Sequence, residues 1–247
     1  MTKVYSIKTK TRSWDGESIG ILILDAAYPC IPGNVGNAST FDFPVRYREV
    51  RGASIERLIN RMDPGLLEPF VEAARELERE GVKAVTGACG FMALFQREVA
   101  AALKIPVFLS SLLQVPFIWR TLSPGRKIGI ITANSEYLTD RHFEAVGIKG
   151  DIPLVIRGME DQEEFRSAVL EEKGTLDSGK IEEEVTGVAR AMVADHPDTA
   201  AILLECSDLP PYARTVQEAT GRPVFDFITM IRHVHTAVVP KRYGGFM

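Results

Sequence analysis

Residues 18–23 read SIGILI, and residues 127–132 read KIGIIT. The glycines of the two stretches, Gly20 and Gly129, lie 109 residues apart. Apolar runs that do not alternate with polar residues are typical of parallel strands buried on both faces. Further apolar runs and stretches of helical periodicity follow each copy. The repeat therefore predicts an α/β protein of two pseudo-symmetric lobes, each a parallel sheet flanked by helices.

A Ser-Pro-Gly sequence at residues 123–125 separates the two copies. Proline and glycine in a short polar segment are typical of a connector. We therefore assign residues 1–122 to lobe one and residues 123–225 to lobe two. Residues 226–247 contain a last predicted helix that could pack back on lobe one. Because ligands of α/β proteins bind beyond the carboxyl ends of the strands, we expect an active site at the lobe interface.

The composition is that of an average globular protein. The chain has 247 residues, of which 45% are hydrophobic and 25% are charged, and its net charge is −4. This charge gives no reason to expect a nucleic acid or an acidic membrane as a partner. No apolar stretch is long enough for a membrane helix, and three widely spaced cysteines do not form a disulfide framework. We expect a cytoplasmic protein that acts on a small-molecule substrate, and we leave open whether it forms a homo-oligomer.

Two cysteines lie in matching sequence frames. Cys89 follows the run AVTGA at residues 84–88, and Cys206 follows the run AILLE at residues 201–205. Each is followed 17 residues later by Pro-Val-Phe, and each frame predicts a strand before the cysteine and a helix after it. A single buried cysteine is usually a small apolar core residue, but a core role gives no reason for two matched positions. Cys30 has no counterpart in the repeat, and we assign it to packing or loop structure.

The pairing of the two cysteines predicts acid–base chemistry. A free cysteine has a pKa of about 8.5. Backbone N–H groups at the start of a helix can lower that pKa into the neutral range. Two thiols that face each other across a cleft can remove a proton from one side of a carbon and return one to the other side. The same N–H groups could stabilise the enolate-like charge that forms next to a carboxylate. This is the chemistry of a cofactor-independent racemase or epimerase.

Three segments resemble the aspartate/glutamate racemase superfamily, which also includes hydantoin racemases, maleate isomerases and arylmalonate decarboxylases. They read ACGF at residues 88–91, ITANS at residues 131–135 and ECSDLPPY at residues 205–212. The resemblance covers most of the chain, from residue 19 to about residue 235. It implies two pseudo-symmetric lobes, a site at their interface and no cofactor, with both cysteines acting as bases.

The resemblance also implies a set of substrate-binding residues: Asp25, Gly90, Phe91, Thr132, Asn134 and Ser207. Gly90-Phe91 stands where amino-acid racemases commonly have Asn-Thr, so side-chain contacts to the substrate are lost while backbone donors remain. Ser207 keeps a hydroxyl that could act as an oxyanion donor. Asp208 stands where glutamate racemases have a histidine, and a carboxylate there would raise a thiol pKa. Glutamate is therefore the less favoured substrate.

The remaining polar residues receive structural assignments. Asn34 and Asn37 lie in a loop rich in proline and glycine, where turn chemistry is the stronger interpretation. Asn134 is predicted to cap the helix that follows it. The four histidines are scattered along the sequence and make no metal-binding cluster, so we predict no metal site.

The leading hypothesis is an isomerase: a cofactor-independent racemase or epimerase of a small carboxylate-bearing carbon acid. An amino acid such as aspartate and a hydantoin-like compound are the candidate substrates. Two alternatives stay open. One is an enzyme similar to a maleate isomerase or a decarboxylase that uses a single cysteine. The other is a relative that binds ligands without catalysing a reaction.

Overall fold

The computed structural model describes Val4 and residues 14–247, so the start of the lobe-one assignment lies outside the described residues. Two four-stranded parallel sheets form the centres of the two lobes. The strands are β1 (Ile19–Ile23), β2 (Val45–Glu49), β3 (Ala84–Gly87), β4 (Val107–Phe108), β5 (Lys127–Thr132), β6 (Leu154–Gly158), β7 (Thr199–Leu204) and β8 (Val224–Phe225). Their orders are β2-β1-β3-β4 and β6-β5-β7-β8. The same topology occurs twice, which confirms the predicted fold class.

Helices cover the sheets. They are α1 (Leu67–Arg79), α2 (Gln96–Ala102), α3 (Val115–Thr121), α4 (Asp140–Ala145), α5 (Glu163–Phe165), α6 (Ser178–Asp195), α7 (Ala213–Thr220) and α8 (Phe227–Val238). The α8 helix packs on the sheet of lobe one, where Ile231 and Val234 join a cluster with Ile19, Ile21 and Ala84. None of the helices in the described part of the chain is long and apolar enough to cross a membrane.

The repeated glycines of β1 and β5 allow a helix to lie close to each sheet. A Cβ atom on Gly20 would lie 2.9 Å from Leu77 Cδ1 of α1. A Cβ atom on Gly129 would lie 2.2 Å from Met192 Sδ of α6. Both distances are too short for real carbon contacts. The glycines that define the sequence repeat therefore have the same packing function in the two lobes.

Three predicted helices begin differently from the expectation. The sequence predicts continuous helices over 92–103, 112–121 and 209–220. In the structure the first turn of each is instead a 3-10 helix, over Gly90–Phe95, Ser111–Gln114 and Pro210–Tyr212. Proline occupies the first turn of the third 3-10 helix and of α3, and a proline ring constrains the backbone there. The tighter turns fix the backbone on both sides of the lobe interface.

The prediction that Asn134 caps a helix is wrong. Its Oδ1 accepts a hydrogen bond from the backbone N–H of Glu136 at 3.0 Å, which closes a local turn. The next helix, α4, begins six residues after Asn134, and Thr139 is its N-cap residue. The physical reason is the length of the connection after β5, because the chain passes through a turn before it can enter the helix.

Candidate active site

Cys89 and Cys206 follow equivalent strands, β3 and β7, at the edges of the two sheets that face each other. Both side chains are buried, with 8% and 5% of their surface exposed. They belong to one continuous cluster of buried side chains that crosses the lobe boundary. The repeat therefore places the two thiols on opposite sides of the same interface.

Direct hydrogen bonds join the segments that carry the two cysteines. Ser207 Oγ donates to the carbonyl oxygen of Ala88 at 2.7 Å, and the N–H of Val35 donates to the carbonyl oxygen of Ser207 at 3.4 Å. The residue before Cys89 thus contacts the residue after Cys206. Because the Ser207 hydroxyl already donates its proton to Ala88, it is not a free donor. In this structure the hydroxyl joins the lobes, and its role as an oxyanion donor stays a prediction.

Burial dominates the acid–base properties of Cys89. The N–H groups of Phe91 and Met92, at the start of the 3-10 helix, act to lower its pKa. Burial raises that pKa by more, and the nearby Glu205 and Asp208 add to the increase. We expected helix-start N–H groups to bring the thiol into the neutral range. This expectation is wrong for the unliganded protein, because desolvation outweighs the backbone donors.

Cys206 has a carboxylate as its hydrogen-bond partner. Its Sγ donates to Oδ2 of Asp208 at 3.3 Å. Burial raises the pKa of Cys206 well above its usual value, and the charge of Asp208 raises it further. From the sequence we expected a carboxylate at position 208 to raise the thiol pKa, and the direction of the shift agrees. The two cysteines therefore differ, because Cys206 has a proton acceptor in contact with its sulfur.

Asp208 is held by two donors from the opposite lobe. Asn34 Nδ2 donates to its Oδ1 at 2.5 Å, and the Tyr28 hydroxyl donates to its Oδ2 at 3.4 Å. Sequence analysis assigned Asn34 to turn chemistry and gave Tyr28 no role. Asn34 does form a turn, since its Oδ1 accepts from the N–H of Gly36, but the other end of the same amide reaches Asp208. No periodicity or motif indicates that contact, which spans 174 residues.

Glu205 is a second buried carboxyl group beside the cysteines. Its Oε2 accepts a hydrogen bond from Thr132 Oγ1 at 2.8 Å, while its Oε1 is buried without a hydrogen-bond partner among the described atoms. Burial raises its pKa to about 7. Gly90 lies against this carboxyl group, and a Cβ atom there would be 1.8 Å from Oε1. Thr132 and Gly90 thus hold Glu205 in place.

Phe91 contributes to the core between the lobes. Its side chain is 1% exposed, and its ring meets the His142 ring edge-on at a centroid distance of 5.2 Å. We predicted Phe91 as a substrate contact, but its ring packs on α4. His142 Nδ1 accepts a hydrogen bond from the N–H of Thr139 at 3.1 Å, which fixes the neutral ring in this position. Phe91 and His142 therefore join the segment after Cys89 to lobe two.

We expect His142 to make the free energy of unfolding depend on pH. Burial lowers the pKa of His142 to about 4, whereas an unfolded chain takes up this proton near pH 6.5. Stability is therefore fully present above about pH 6.5 and is lost as the pH falls toward 4, because only the unfolded state binds the proton readily. Between pH 7.5 and pH 5 this group should lower the free energy of unfolding by roughly 2 kcal/mol.

The measurement is urea unfolding at both pH values for the wild-type chain and for His142→Asn. The asparagine Oδ1 can still accept from Thr139 but does not titrate. The loss of stability on acidification should be about 2 kcal/mol smaller in the variant. An equal loss in both proteins would show that His142 has no part in the acid response.

Two of the predicted substrate-binding residues lie apart from the buried group around the cysteines. Asp25 follows β1, as expected, but its side chain is exposed. Its backbone N–H donates to the carbonyl oxygen of Ala53, which is its one hydrogen bond within the described residues. Asn134 is partly buried in its own turn with Glu136. Neither side chain makes a recorded hydrogen bond with Cys89, Cys206 or the two carboxyl groups. The prediction of Asp25 and Asn134 as binding residues is not supported by this arrangement.

A small cavity adjoins the cysteine segments on the side of lobe one. Its volume is about 80 Å³, and its lining includes Tyr28, Cys30, Asn34 and Ala88, together with apolar side chains at the end of β1. Ala88 immediately precedes Cys89, and Tyr28 and Asn34 both contact Asp208. The cavity therefore connects to the same cluster of polar groups. Its lining combines apolar and polar side chains.

Two buried carboxyl groups, those of Glu205 and Asp208, dominate the electrostatics of the site. Burial raises the pKa of Asp208, and the hydrogen bonds from Asn34, Cys206 and Tyr28 act in the opposite direction. Within the described residues, no Lys, Arg or His side chain acts on the pKa of Asp208 or Glu205. A buried carboxylate without a cationic partner is costly. The charged forms of Asp208 and Glu205 therefore lack a compensating cation among the described residues.

Comparison with curated proteins identifies relatives along most of the chain. A dimethylsulfoniopropionate lyase of Durusdinium sp. clade D is 36% identical over 217 residues, which are 85% of this chain and 71% of the relative. The chain belongs to the dimethylsulfoniopropionate lyase family. Dimethylsulfoniopropionate lyase 3 of Emiliania huxleyi is 34% identical over 240 residues, which are 93% of this chain and 62% of that relative. The chain thus spans less than two thirds of some members of the lyase family. No protein-family model matches it.

Solved structures share the two-lobe fold of this chain, which is the fold that the sequence predicted. A crystal structure of arylmalonate decarboxylase matches 91% of this chain and 94% of its own chain, with a TM-score of 0.61 and 17% identity. A glutamate racemase from Bacillus anthracis matches 90% of this chain and 82% of its own, with a TM-score of 0.57 and 14% identity. At these identities the likeness concerns the fold.

The prediction of an isomerase is wrong. The relatives that share about a third of their residues with this chain are lyases by name, whereas the racemases share only the fold. The sequence argument rested on the two cysteines, and two bases placed across a cleft do not by themselves define the reaction. A base that removes a proton next to a carboxylate can serve inversion or elimination, and the substrate decides which follows.

Proposed function

We propose that this protein is a lyase that cleaves dimethylsulfoniopropionate by removing a proton from the carbon next to the carboxylate. The observation that carries the proposal is the pair of buried carboxyl groups beside Cys206 in a member of the lyase family. Asp208 and Glu205 have no cationic partner among the described residues, and a sulfonium ion supplies one. An amino-acid substrate would bring an ammonium group, but the lyase relatives favour the sulfonium compound.

The chemistry follows from the substrate's structure. A base takes a hydrogen from the carbon next to the carboxylate, and the electron pair of that bond forms a double bond to the neighbouring carbon. The bond from that carbon to sulfur breaks, and its electron pair leaves with dimethyl sulfide. The products are acrylate, dimethyl sulfide and one proton. No external oxidant or reductant takes part in this step, so we expect that no cofactor is required.

Cys206 is the base that the geometry favours. Its sulfur contacts Asp208, whereas Cys89 has no carboxylate within hydrogen-bond distance among the described residues. Elimination needs a single base, because the leaving sulfide carries its own electron pair and takes no proton. This requirement agrees with the single-cysteine alternative from the sequence. Cys89 then faces the reacting carbon as a neutral thiol, beside the N–H group of Phe91 that can receive the substrate's carboxylate.

The direct test is the release of dimethyl sulfide into the headspace when the purified chain is mixed with dimethylsulfoniopropionate. We expect release that depends on the amount of protein. Asp25→Asn is a matched control, since Asp25 is an acidic residue at a strand end whose side chain is exposed. That variant should keep the wild-type rate. No release by a folded wild-type protein would overturn the proposed function.

We also expect the site to distinguish a cation from a neutral group of the same shape. In the trimethylammonio analogue of the substrate, nitrogen replaces sulfur and is a poor leaving group, so the compound should act as a competitive inhibitor. Its tert-butyl isostere has carbon at the same position and no positive charge. Because the buried carboxyl groups stabilise only the cation, the inhibition constant of the isostere should be at least about tenfold higher. Equal inhibition by both compounds would contradict the role of charge.

A further inference from the structure

Asp208, Asn34 and Tyr28 form a hydrogen-bonded group around the sulfur of Cys206. We propose that Asp208 accepts the thiol proton of Cys206, which makes that sulfur the base, and that Asn34 is the positioning residue that holds Asp208 for this transfer. This inference rests on the proposed elimination, and it assigns the origin of the thiolate that the reaction needs. Sequence analysis considered Asp208 only as an unfavourable neighbour of the thiol.

The orientation of the Asn34 side chain is fixed by its own loop. Its Oδ1 accepts from the N–H of Gly36 at 2.7 Å, so its Nδ2 must point the other way, where Oδ1 of Asp208 lies at 2.5 Å. The Asn34 carbonyl accepts from Thr40 Oγ1 at 2.8 Å, which holds the loop closed. Asn34 is 4% exposed. A buried amide that is fixed at both ends holds Asp208 in one position with its other oxygen toward Cys206.

The second oxygen of Asp208 receives two donors. The Cys206 thiol donates to Oδ2 at 3.3 Å, and the Tyr28 hydroxyl donates to the same atom at 3.4 Å. The three donors oppose the increase in the pKa of Asp208 that burial causes, so they favour the charged form that can accept a proton. The sulfur and this oxygen already lie within hydrogen-bond distance. Transfer therefore requires no movement of the backbone.

The proposed step balances within the site. The Cys206 proton moves to Oδ2 of Asp208 and leaves a thiolate and a neutral carboxylic acid. The thiolate then takes a hydrogen from the substrate carbon as dimethyl sulfide departs with the electron pair of the broken bond. Asp208 releases its proton to water, and the reformed Cys206 thiol donates to it again. One substrate gives one acrylate, one dimethyl sulfide and one proton.

The groups that act on this pair carry no positive charge. The Asp208 carboxylate interacts electrostatically with Tyr28, Cys30, Cys89 and Tyr212 as well as with Cys206. Glu205 acts on Cys206 from the preceding position. The charges of these groups oppose a thiolate, but transfer of the proton to Asp208 removes the charge of that carboxylate as the thiolate forms. A sulfonium ion bound nearby would favour the thiolate further. The proton should therefore move most readily once a cation is bound.

The test is the alkylation of each cysteine by iodoacetamide from pH 6 to pH 10, read by mass spectrometry of digested peptides. It needs no lyase turnover, so its outcome is separate from that of the proposed function. In the wild-type chain at pH 7, Cys206 should react at least about tenfold faster than in Asp208→Asn, because the variant has lost the proton acceptor. At pH 10 the difference should vanish or reverse. Hydroxide then removes the thiol proton in both proteins, and the variant lacks the negative charge of Asp208 that opposes a thiolate.

Cys89 provides an internal control in the same digests, because its thiol has no carboxylate in hydrogen-bond contact among the described residues. Its alkylation should change by less than about twofold in Asp208→Asn, since its electrostatic interaction with Asp208 is only a minor influence on its pKa. If Cys206 of Asp208→Asn reacts as fast as or faster than the wild-type residue at pH 7, Asp208 acts only as a like charge, and the proposal is overturned.

Asn34→Ala tests the positioning role. Without the amide donor, the pKa of Asp208 should rise, so the acid limb of the Cys206 alkylation profile should move to higher pH. Asn37→Ala is the matched control, because Asn37 lies in the same loop but its Nδ2 donates to the carbonyl oxygen of Cys30. A purely structural role would give similar profiles for the two variants. Displacement of the acid limb by Asn34→Ala alone supports the proposal, and equal profiles overturn it.

Discussion

Replacing Cys206 by alanine should lower kcat/KM for dimethylsulfoniopropionate by about a thousandfold or more. The substitution removes the only thiol that contacts a carboxylate among the described residues, and a positioned base typically contributes 10²- to 10⁴-fold. Cys89→Ala should lower kcat/KM by a smaller factor, about 10- to 100-fold, because elimination needs one base. Headspace measurements of dimethyl sulfide at several substrate concentrations give both values.

Thermal unfolding of the two cysteine variants is the control for this comparison. Both thiols are similarly buried, so their removal should lower the free energy of unfolding by similar amounts. A difference in kcat/KM between the two variants then reflects the roles of the thiols in the reaction. The assignment of Cys206 fails if Cys206→Ala keeps a tenth or more of the wild-type kcat/KM. It also fails if Cys89→Ala is the more damaging change in a folded protein.

Gly90→Ala should disrupt the lobe interface. The new Cβ atom would lie 1.8 Å from Oε1 of Glu205 and 2.6 Å from the Glu205 carbonyl oxygen. The carbonyl belongs to the backbone next to Cys206, so relief of the clash must displace that segment. We expect a loss of roughly 3 kcal/mol in the free energy of unfolding. Lyase activity should fall as well, because Glu205 precedes Cys206 directly.

Gly187→Ala is the matched control for this substitution. Gly187 lies within α6, it is exposed, and a Cβ atom there would meet nothing within 4 Å. Alanine in the interior of a helix is favoured over glycine by about 0.5 to 1 kcal/mol, so the control should be slightly more stable than the wild type. Urea unfolding measures both variants. A Gly90→Ala protein as stable as the wild type would show that the interface tolerates a side chain at this position.

The fold could be predicted from the sequence because its main signals are local. The apolar runs that contain Gly20 and Gly129 identify the central strand of each sheet, and the repeat of such runs gives the duplicated topology. The two cysteine frames likewise indicated equivalent places after β3 and β7. The starts of the helices were less predictable, because 3-10 and α-helical turns share a similar hydrophobic period.

The surroundings of the thiols could not be predicted, because they depend on contacts between distant segments. Asn34 and Asp208 meet across 174 residues, and Ser207 donates to Ala88 across 119 residues. The direction of the cysteine pKa shifts could not be predicted for the same reason, because it too depends on contacts between distant segments. Helix-start N–H groups were visible in the sequence, but burial at a lobe interface was not, and burial has the larger effect on Cys89. The reaction class could be inferred only with the relatives, because the sequence does not show that the carboxyl groups of Glu205 and Asp208 are buried beside the cysteines.

The most direct test of the account is a proton NMR time course of dimethylsulfoniopropionate with the wild-type chain and with Cys206→Ala. The account predicts that acrylate and dimethyl sulfide appear in equal amounts with the wild type, and that the variant forms neither at a comparable rate. An unchanged substrate spectrum with the folded wild-type protein would contradict the account. So would equal rates of acrylate formation by the two proteins.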